Sequence, residues 1–251
     1  NAADYDIVLS GGRVIDPETG LDASRNVGIK GDKVASISED PLTGTEVIDV
    51  SSLVVAPGFI DIHSHSPTPL GQKYQALDGV TTALELEAGA FPVLLYGAMI
   101  NGQSRVNFGA SAGYGNMRGE VMQGIQQAHI FDPPQTLGLL GWWTELKSKF
   151  GHVRTANTEL ADADERTELE ALIHEGIDQG GMGIGLPLDY YSEGVDNDEL
   201  RTVFKVSAER HVPIFVHIRR GVNGDPSGLY EVLALVRATG ASMHICHITH
   251  N

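Results

Sequence analysis

The sequence has one cysteine, few cations and no long apolar run, and each shortage excludes a class of protein. Cys246 stands alone, so an internal disulfide and a multi-cysteine zinc finger are excluded. Lys and Arg number 17 against 33 Asp and Glu, and the net charge of −16 disfavours nucleic acid and anionic membranes as partners. No apolar run approaches the ~20 residues that span a bilayer, so we expect no membrane partner.

The chain does have apolar residues, glycines and histidines. A hydrophobic fraction of 41% is enough for a buried core, and 30 glycines suit many tight turns between short elements. The first ~55 residues contain short alternating apolar runs, and Gly31-Asp32 between two of these runs predicts a hairpin. We therefore expect residues 1–55 to form a small β domain.

From residue 56, strand patterns alternate with helical patterns, which is typical of an α/β fold with a parallel sheet. Six strands are predicted, near His63, Glu85, Phe108, Ile184, Val216 and Ile245. Because a closed TIM-type (β/α)8 barrel has two more, residues 56–251 are expected to supply strands 1–6. A further segment or another chain would complete the barrel. The less regular stretch 89–163 is expected to hold an inserted loop or a lid with Trp142 and Trp143.

Four histidines follow or close predicted strands. His63 and His65 come after the first core strand with the i, i+2 spacing that places side chains on one side. His217 and His247 lie at the ends of two later strands. The carboxyl ends of parallel strands meet at one rim, so these imidazoles are expected to converge on a metal ion. The alternative is that each is only a polar strand terminus.

Two carboxylates, Glu85 and Glu87, lie on one face of the second predicted strand. Buried carboxylates are costly unless cations neutralise them, so a metal or an arginine is expected nearby. Glu87 is closer to the carboxyl end of the strand and is preferred as the ligand. Imidazole and carboxylate ligands suit Zn²⁺, with one or two ions, although Co²⁺ and Mn²⁺ share these preferences. The remaining histidines include four that we interpret as surface or structural, namely His129, His152, His174 and His211.

The segment 56–65, Ala-Pro-Gly-Phe-Ile-Asp-Ile-His-Ser-His, resembles the opening metal motif of the amidohydrolase superfamily. Residues 6–16 resemble the β-sandwich-like domain that precedes it there, and 78–82 resemble the start of that family's second barrel strand. Within the superfamily, segments 183–191, 216–219 and 245–247 are most similar to the N-acyl-D-amino-acid deacylases. The resemblance covers nearly the whole chain.

The resemblance implies one metal site at His63 and His65 and another at His217 and His247. Deacylases often add a cysteine after the second strand; this chain has none there, and Glu87 is the expected replacement. Other members use a carboxylated lysine on the fourth strand, but 183–191 contains no lysine, which weakens hydantoinase-like and dihydroorotase-like interpretations. The resemblance also implies that the catalytic aspartate comes from an eighth strand, beyond Asn251.

Three residues are candidates for substrate binding. Tyr191 matches a tyrosine that contacts substrate in the deacylases, and Arg219 is able to pair with a substrate carboxylate or, alternatively, to form an ordinary salt bridge. His250 either binds substrate or is an ordinary loop histidine with no role in the site.

The predicted function is metal-dependent hydrolysis of the amide bond in small N-acyl amino acids, with D-configured ones preferred. The alternatives are another amidohydrolase reaction, such as dipeptide cleavage, cyclic amide opening or deamination, and a non-catalytic scaffold on the same fold. A homo-oligomer is compatible with the sequence. A cytoplasmic location and a periplasmic or secreted one are both compatible with it as well.

Overall fold

A computed structural model describes residues 4–98, 100–149, 155–191, 193–220 and 224–248. The chain divides into two compact units, residues 1–59 and 60–251. Within the described residues, no helix is both long enough and apolar enough to cross a membrane.

The first unit is built on one sheet in its described part. Its strands are β1 (Tyr5–Asp16), β2 (Leu21–Lys30), β3 (Lys33–Ser38), β4 (Gly44–Asp49) and β5 (Val54–Val55). The order is β3-β2-β1-β4, and β5 also pairs with β1. The hairpin predicted at Gly31-Asp32 joins β2 to β3, and Gly31 adopts the positive φ of 60° that such a turn requires. The described residues of this unit form a single sheet, so the expected β-sandwich-like arrangement stays a prediction.

The second unit carries the remaining strands of the described chain. They are β6 (Phe59–Asp61), β7 (Val80–Ala90), β8 (Asn107–Gly113), β9 (Ile125–Gln126), β10 (Gln135–Thr136), β11 (Ile184–Pro187), β12 (Ile214–His217) and β13 (Met243–Ile245). Six form one sheet in the order β13-β12-β11-β8-β7-β6, whereas β9 and β10 pair with each other in a separate two-stranded sheet. The six core strands predicted from the sequence are thus confirmed, and the fold is α/β.

The large sheet is parallel and curled. Neighbouring strands in its order follow one another along the chain, and the registered pairs from β7 to β13 are parallel. Strand β7 also contacts β11 and β12, which lie two and three places away in the sheet, so the sheet bends toward itself. A curled sheet of this order fits part of an α/β barrel.

Six helices accompany the sheet in the described chain. They are α1 (Pro69–Leu77), α2 (Tyr114–Gln123), α3 (Gly138–Ser148), α4 (Ala163–Asp178), α5 (Asn197–Arg210) and α6 (Ser227–Thr239). Asp162 and Asp196 cap α4 and α5 by accepting hydrogen bonds from the first free backbone N–H groups. The predicted insertion contains α3, on which Trp142 and Trp143 are each about half exposed.

The core of the second unit lies between the sheet and helices α2, α4, α5 and α6. Strand β11 is buried along its whole length, as expected for a parallel strand covered on both faces. Large apolar side chains of this core include Phe91, Tyr114, Met117, Leu169, Ile173, Leu186, Leu200 and Phe204. This packing fixes the strands whose carboxyl ends form the candidate site.

Candidate metal centre

The predicted site residues lie at one edge of the large sheet. His63 and His65 follow β6, His217 closes β12, and His247 comes two residues after β13. Glu87 lies near the end of β7. Because these strands run in parallel, their carboxyl ends share this edge and their terminal side chains meet there.

Glu87 is the centre of the cluster. Its Oε2 lies 2.8 Å from His63 Nε2 and 2.6 Å from His247 Nε2. Its Oε1 lies 2.9 Å from His217 Nδ1. The Glu87 side chain is only 5% exposed. Burial alone would raise its pKa, but the hydrogen bond to His217 and the surrounding imidazoles outweigh burial and hold the pKa below its usual value. The lowered pKa favours the ionised form of this buried carboxylate.

The donor atoms are close enough to share one ion. His63, Glu87 and His247 each offer a ligand atom, and these atoms all lie within 4.8 Å of one another. His217 contacts the second oxygen of Glu87, and its ring centroid lies 4.2 Å from that of His247. Two imidazoles and a carboxylate around one point are a donor set that Zn²⁺ accepts. The structure thus brings three of the five predicted ligands, His63, His217 and His247, onto the carboxylate of a fourth, Glu87.

His65, the fifth predicted ligand, has its two ring nitrogens in different surroundings. Its Nε2 lies 3.1 Å from His63 Nε2, and its Nδ1 lies 2.8 Å from both carboxylate oxygens of Glu85. The hydrogen bond to Glu85 is the main reason that the pKa of His65 lies above its usual value. His65 thus faces the cluster with one nitrogen and a second buried carboxylate with the other.

His129 is buried beside this second carboxylate. It is 2% exposed, and its Nε2 lies 2.9 Å from Glu85 Oε2. The interpretation of His129 as a surface residue is wrong, whereas a structural role stays open. His129 lies between β9 and β10, in the stretch where the sequence has no regular period, so its spacing carried no signal. Of the other three, His211 is exposed, His174 is half-buried, and His152 lies outside the described residues.

The predicted substrate residue Tyr191 packs into the core. A Cβ placed on Gly115 of α2 would lie 1.8 Å from the Tyr191 hydroxyl, so that hydroxyl abuts the helix. Burial raises the pKa of Tyr191. Its neighbour Tyr190 contacts His217, with ring centroids 5.3 Å apart. Residues 188–191 form a 3₁₀ helix, in which successive side chains diverge by a third of a turn. The role of Tyr191 stays a prediction, and Tyr190 is the tyrosine beside the histidine cluster.

Arg219 forms the ordinary salt bridge that was the alternative interpretation. Its Nε lies 2.9 Å from Glu231 Oε2, and it donates a 2.6 Å hydrogen bond to the Val195 carbonyl. A substrate contact by Arg219 stays a prediction. His250 lies outside the described residues.

An ion pair that the sequence did not reveal flanks His217. Arg220 lies 2.8 Å from Asp189 Oδ2, and that oxygen lies 3.9 Å from His217 Nε2. Burial would raise the pKa of Asp189, but hydrogen bonds from Arg220 outweigh burial and lower it. Arg220 is half exposed, with a side-chain accessibility of 50%, so this pair combines a fixed anion with an accessible cation. Only the adjacency of two arginines after His217 hinted at it.

Comparisons with known proteins place this geometry in context. No family model matches the chain. An allantoinase from Escherichia coli O9:H4 (strain HS) is 25% identical over 267 aligned residues, which cover 98% of this chain and 53% of the relative. A dihydroorotase from Streptococcus thermophilus (strain CNRZ 1066) is 42% identical over 96 residues, or 38% of this chain and 22% of the relative. The chain thus spans about half the length of the allantoinase.

Solved structures share the fold. The N-acyl-D-glutamate deacylase of Bordetella bronchiseptica, solved with zinc and a phosphonate inhibitor, matches 96% of this chain with a TM-score of 0.71 and 21% identity; 51% of the deacylase is covered. A D-aminoacylase matches 95% of this chain with a TM-score of 0.67 and 21% identity; half of that enzyme is covered. The chain thus shares its fold with an N-acyl-D-glutamate deacylase and with a D-aminoacylase whose structure is described as defining a subset of amidohydrolases, and the resemblance is confirmed at the level of the fold.

Proposed function

We propose that the protein is a metal-dependent amidohydrolase that cleaves the amide bond of N-acyl amino acids, preferably of D-configuration. The observation that carries this proposal is the convergence of His63, His217 and His247 on the buried carboxylate of Glu87. Imidazoles from three distant parts of the chain meet on one anion, at the edge where α/β barrels build their active sites. The scaffold alternative offers no reason for that convergence.

The ligand set in this proposal is His63, His65, Glu87, His217 and His247, and Zn²⁺ is the proposed ion. The donors fit the metal, since they are imidazole nitrogens and carboxylate oxygens whose atoms lie within 4.8 Å of one another in His63, Glu87 and His247. When bound, a divalent ion supplies a water activated near neutral pH and polarises the scissile carbonyl. Glu87 contributes the negative charge that offsets the ion, and the histidines hold it at the sheet edge.

The substrate class follows from the cation beside the cluster and from the structural relatives. Arg220 is accessible, and its partner Asp189 lies 3.9 Å from His217, so Arg220 is placed to pair with the carboxylate of an amino acid. Tyr190 contacts His217 and is a candidate hydrogen-bond donor to the developing oxyanion. The two deacylases with TM-scores of 0.71 and 0.67 act, by their names, on N-acyl-D-glutamate and D-amino acid derivatives, which supports this class.

We further propose that the curled sheet is part of a TIM-type (β/α)8 barrel and that the first unit is part of a β-sandwich-like domain. A further segment or another chain would complete both, since the relatives are about twice as long. The general base that accepts the proton of the water is then an aspartate beyond Asn251, as the resemblance implies.

Opening of a cyclic amide is the second candidate. It is favoured by the allantoinase, whose similarity extends over 98% of this chain, and by the dihydroorotase. Residues 183–191, which include β11, contain no lysine to be carboxylated, and this departure favours the linear amide.

A metal assay with a substrate panel tests the proposal. The full-length protein should copurify with, or bind, at least one divalent ion, and should release the amino acid from N-acetyl-D-glutamate faster than from its L-form. Allantoin and dihydroorotate test the second candidate. His217→Asn should lose most of the metal and the activity, whereas His211→Asn, at an exposed histidine, should retain both. Absence of bound metal, or full activity in His217→Asn, would refute the proposal.

A further inference from the structure

Glu85 is a fully buried carboxylate whose partners come from two separate segments. Its side chain is 0% exposed. His65, after β6, contacts it at 2.8 Å through Nδ1, and His129, between β9 and β10, contacts it at 2.9 Å through Nε2. The backbone N–H of Ala88 adds a hydrogen bond of 3.3 Å. Glu85 is therefore held in place from both sides and does not touch solvent.

The hydrogen bonds of His129 define which of its nitrogens carries the proton. The backbone N–H of Phe131 points at His129 Nδ1 at 3.5 Å, so Nδ1 accepts and the proton resides on Nε2. That Nε2–H is then the donor to Glu85. The ring is also enclosed by aromatic neighbours, since the centroids of Tyr96 and Phe131 each lie 5.5 Å from that of His129. These contacts leave His129 one orientation, with its donor aimed at the carboxylate.

The same reasoning sets the state of His65. Both carboxylate oxygens of Glu85 lie 2.8 Å from His65 Nδ1, and Oε2 also accepts the Nε2–H of His129. His65 must therefore donate through Nδ1–H, and in the neutral ring, which is the form that binds a metal, the lone pair of Nε2 is directed toward His63 Nε2, 3.1 Å away. This is the nitrogen that faces the proposed metal ligands.

We propose that Glu85 and His129 are positioning residues that hold His65 in the ring orientation and tautomer needed for binding a metal ion. This inference rests on the proposed function, because it presumes that His65 is a ligand. Carboxylates that accept the second N–H of a ligating histidine commonly raise metal affinity by about 10- to 100-fold. Glu85 in turn accepts a hydrogen bond from the buried His129. The hydrogen-bonded series His129–Glu85–His65 therefore connects the proposed metal ligand to the β9–β10 loop.

If His129 had only a structural role, its variants would lose stability and would not differ from each other in metal affinity. Replacement by leucine and by glutamine distinguishes the two roles. The amide nitrogen of a glutamine is separated from the Cα by the same number of bonds as Nε2 of histidine, so His129→Gln keeps a donor to Glu85. His129→Leu keeps apolar volume but removes the donor. His211→Asn is the matched control, because His211 is an exposed histidine with a φ of 53°, which asparagine tolerates.

The experiment measures zinc affinity of the full-length protein by competition with a chromogenic chelator, together with the melting temperature of the metal-free form. We expect His129→Leu to bind zinc about 10- to 100-fold more weakly, and His129→Gln and His211→Asn to stay within a few-fold of wild type. Wild-type affinity in His129→Leu would overturn the inference and leave the proposed function standing. Equal losses of affinity and melting temperature in both His129 variants would also overturn it, in favour of a structural role. A wild-type protein that binds no zinc would overturn the proposed function itself.

Discussion

Replacing Arg118 by methionine should strongly destabilise the second unit. Arg118 on α2 is fully buried and forms an ion pair with Glu199 on α5, which is 2% exposed. Its guanidinium also donates hydrogen bonds of 2.8 Å to three carbonyls, those of Ala156, Glu159 and Gly194. Breaking a buried ion pair by removing one partner costs about 3–5 kcal/mol, because the other charge stays buried without compensation.

The three carbonyls add to this cost when they lose their donor, at about 1 kcal/mol each, although such losses are not strictly additive. We therefore expect Arg118→Met to lower the free energy of unfolding by at least about 4 kcal/mol, a large part of the stability of a typical domain. Urea denaturation followed by circular dichroism at 222 nm measures it. Arg166→Met is the control, since the Arg166–Asp196 pair is about one-third exposed and 3.4 Å long, and its loss should cost less than about 1 kcal/mol.

The double variant Arg118→Met/Glu199→Gln isolates the charge. Glutamine keeps an acceptor for the hydroxyl of Tyr114, which donates a 2.6 Å hydrogen bond to Glu199, but removes the stranded negative charge. The double variant should recover a substantial part of the loss. A cost below about 1 kcal/mol for Arg118→Met, equal to that of the exposed control, would refute the assignment of a buried ion pair.

Three further outcomes are expected. Glu87→Gln should weaken zinc binding by more than about 100-fold in an equilibrium competition assay, since Glu87 contacts three of the proposed ligands. Cys246, whose thiol pKa burial raises to about 12, should have about 1000-fold less thiolate at pH 8 than a thiol of the ordinary pKa of 9.0, so it should react with a disulfide reagent far more slowly, and its rate should rise about tenfold per pH unit before levelling off near pH 12. Gly115→Ala should cost about 1–3 kcal/mol by displacing Tyr191, despite the higher helix propensity of alanine, and Tyr191→Phe should relieve part of that cost.

The sequence predicts the parts of the fold and site that depend on strand periodicity. Apolar runs ending in polar residues identified the six core strands, and the i, i+2 spacing of His63 and His65 placed them at one strand end. Glu85 and Glu87 were found in the same way, because alternation along β7 puts both on one face. These predictions needed only the regular geometry of parallel strands.

Residues outside regular elements could not be predicted in this way. His129 reaches Glu85 from the loop between β9 and β10, and no repeat in the sequence relates these positions. Tyr190 and Arg220 lie next to the residues chosen from the sequence, and the local turn decides which of two neighbours faces His217. Side-chain direction in a 3₁₀ helix or a loop depends on tertiary packing, which single-sequence patterns do not encode.

The case for a cation at this sheet edge follows from charge as well as from resemblance. Glu85 and Glu87 are two ionised carboxylates on one face of a buried strand, and burying such groups is costly unless positive charge compensates them. In the described part of the chain, their side-chain partners are imidazoles rather than arginine or lysine side chains. An imidazole carries a full charge only when protonated, and a protonated histidine cannot also serve as a ligand. A divalent cation resolves both requirements, because it neutralises the anions and leaves the histidines free to donate lone pairs.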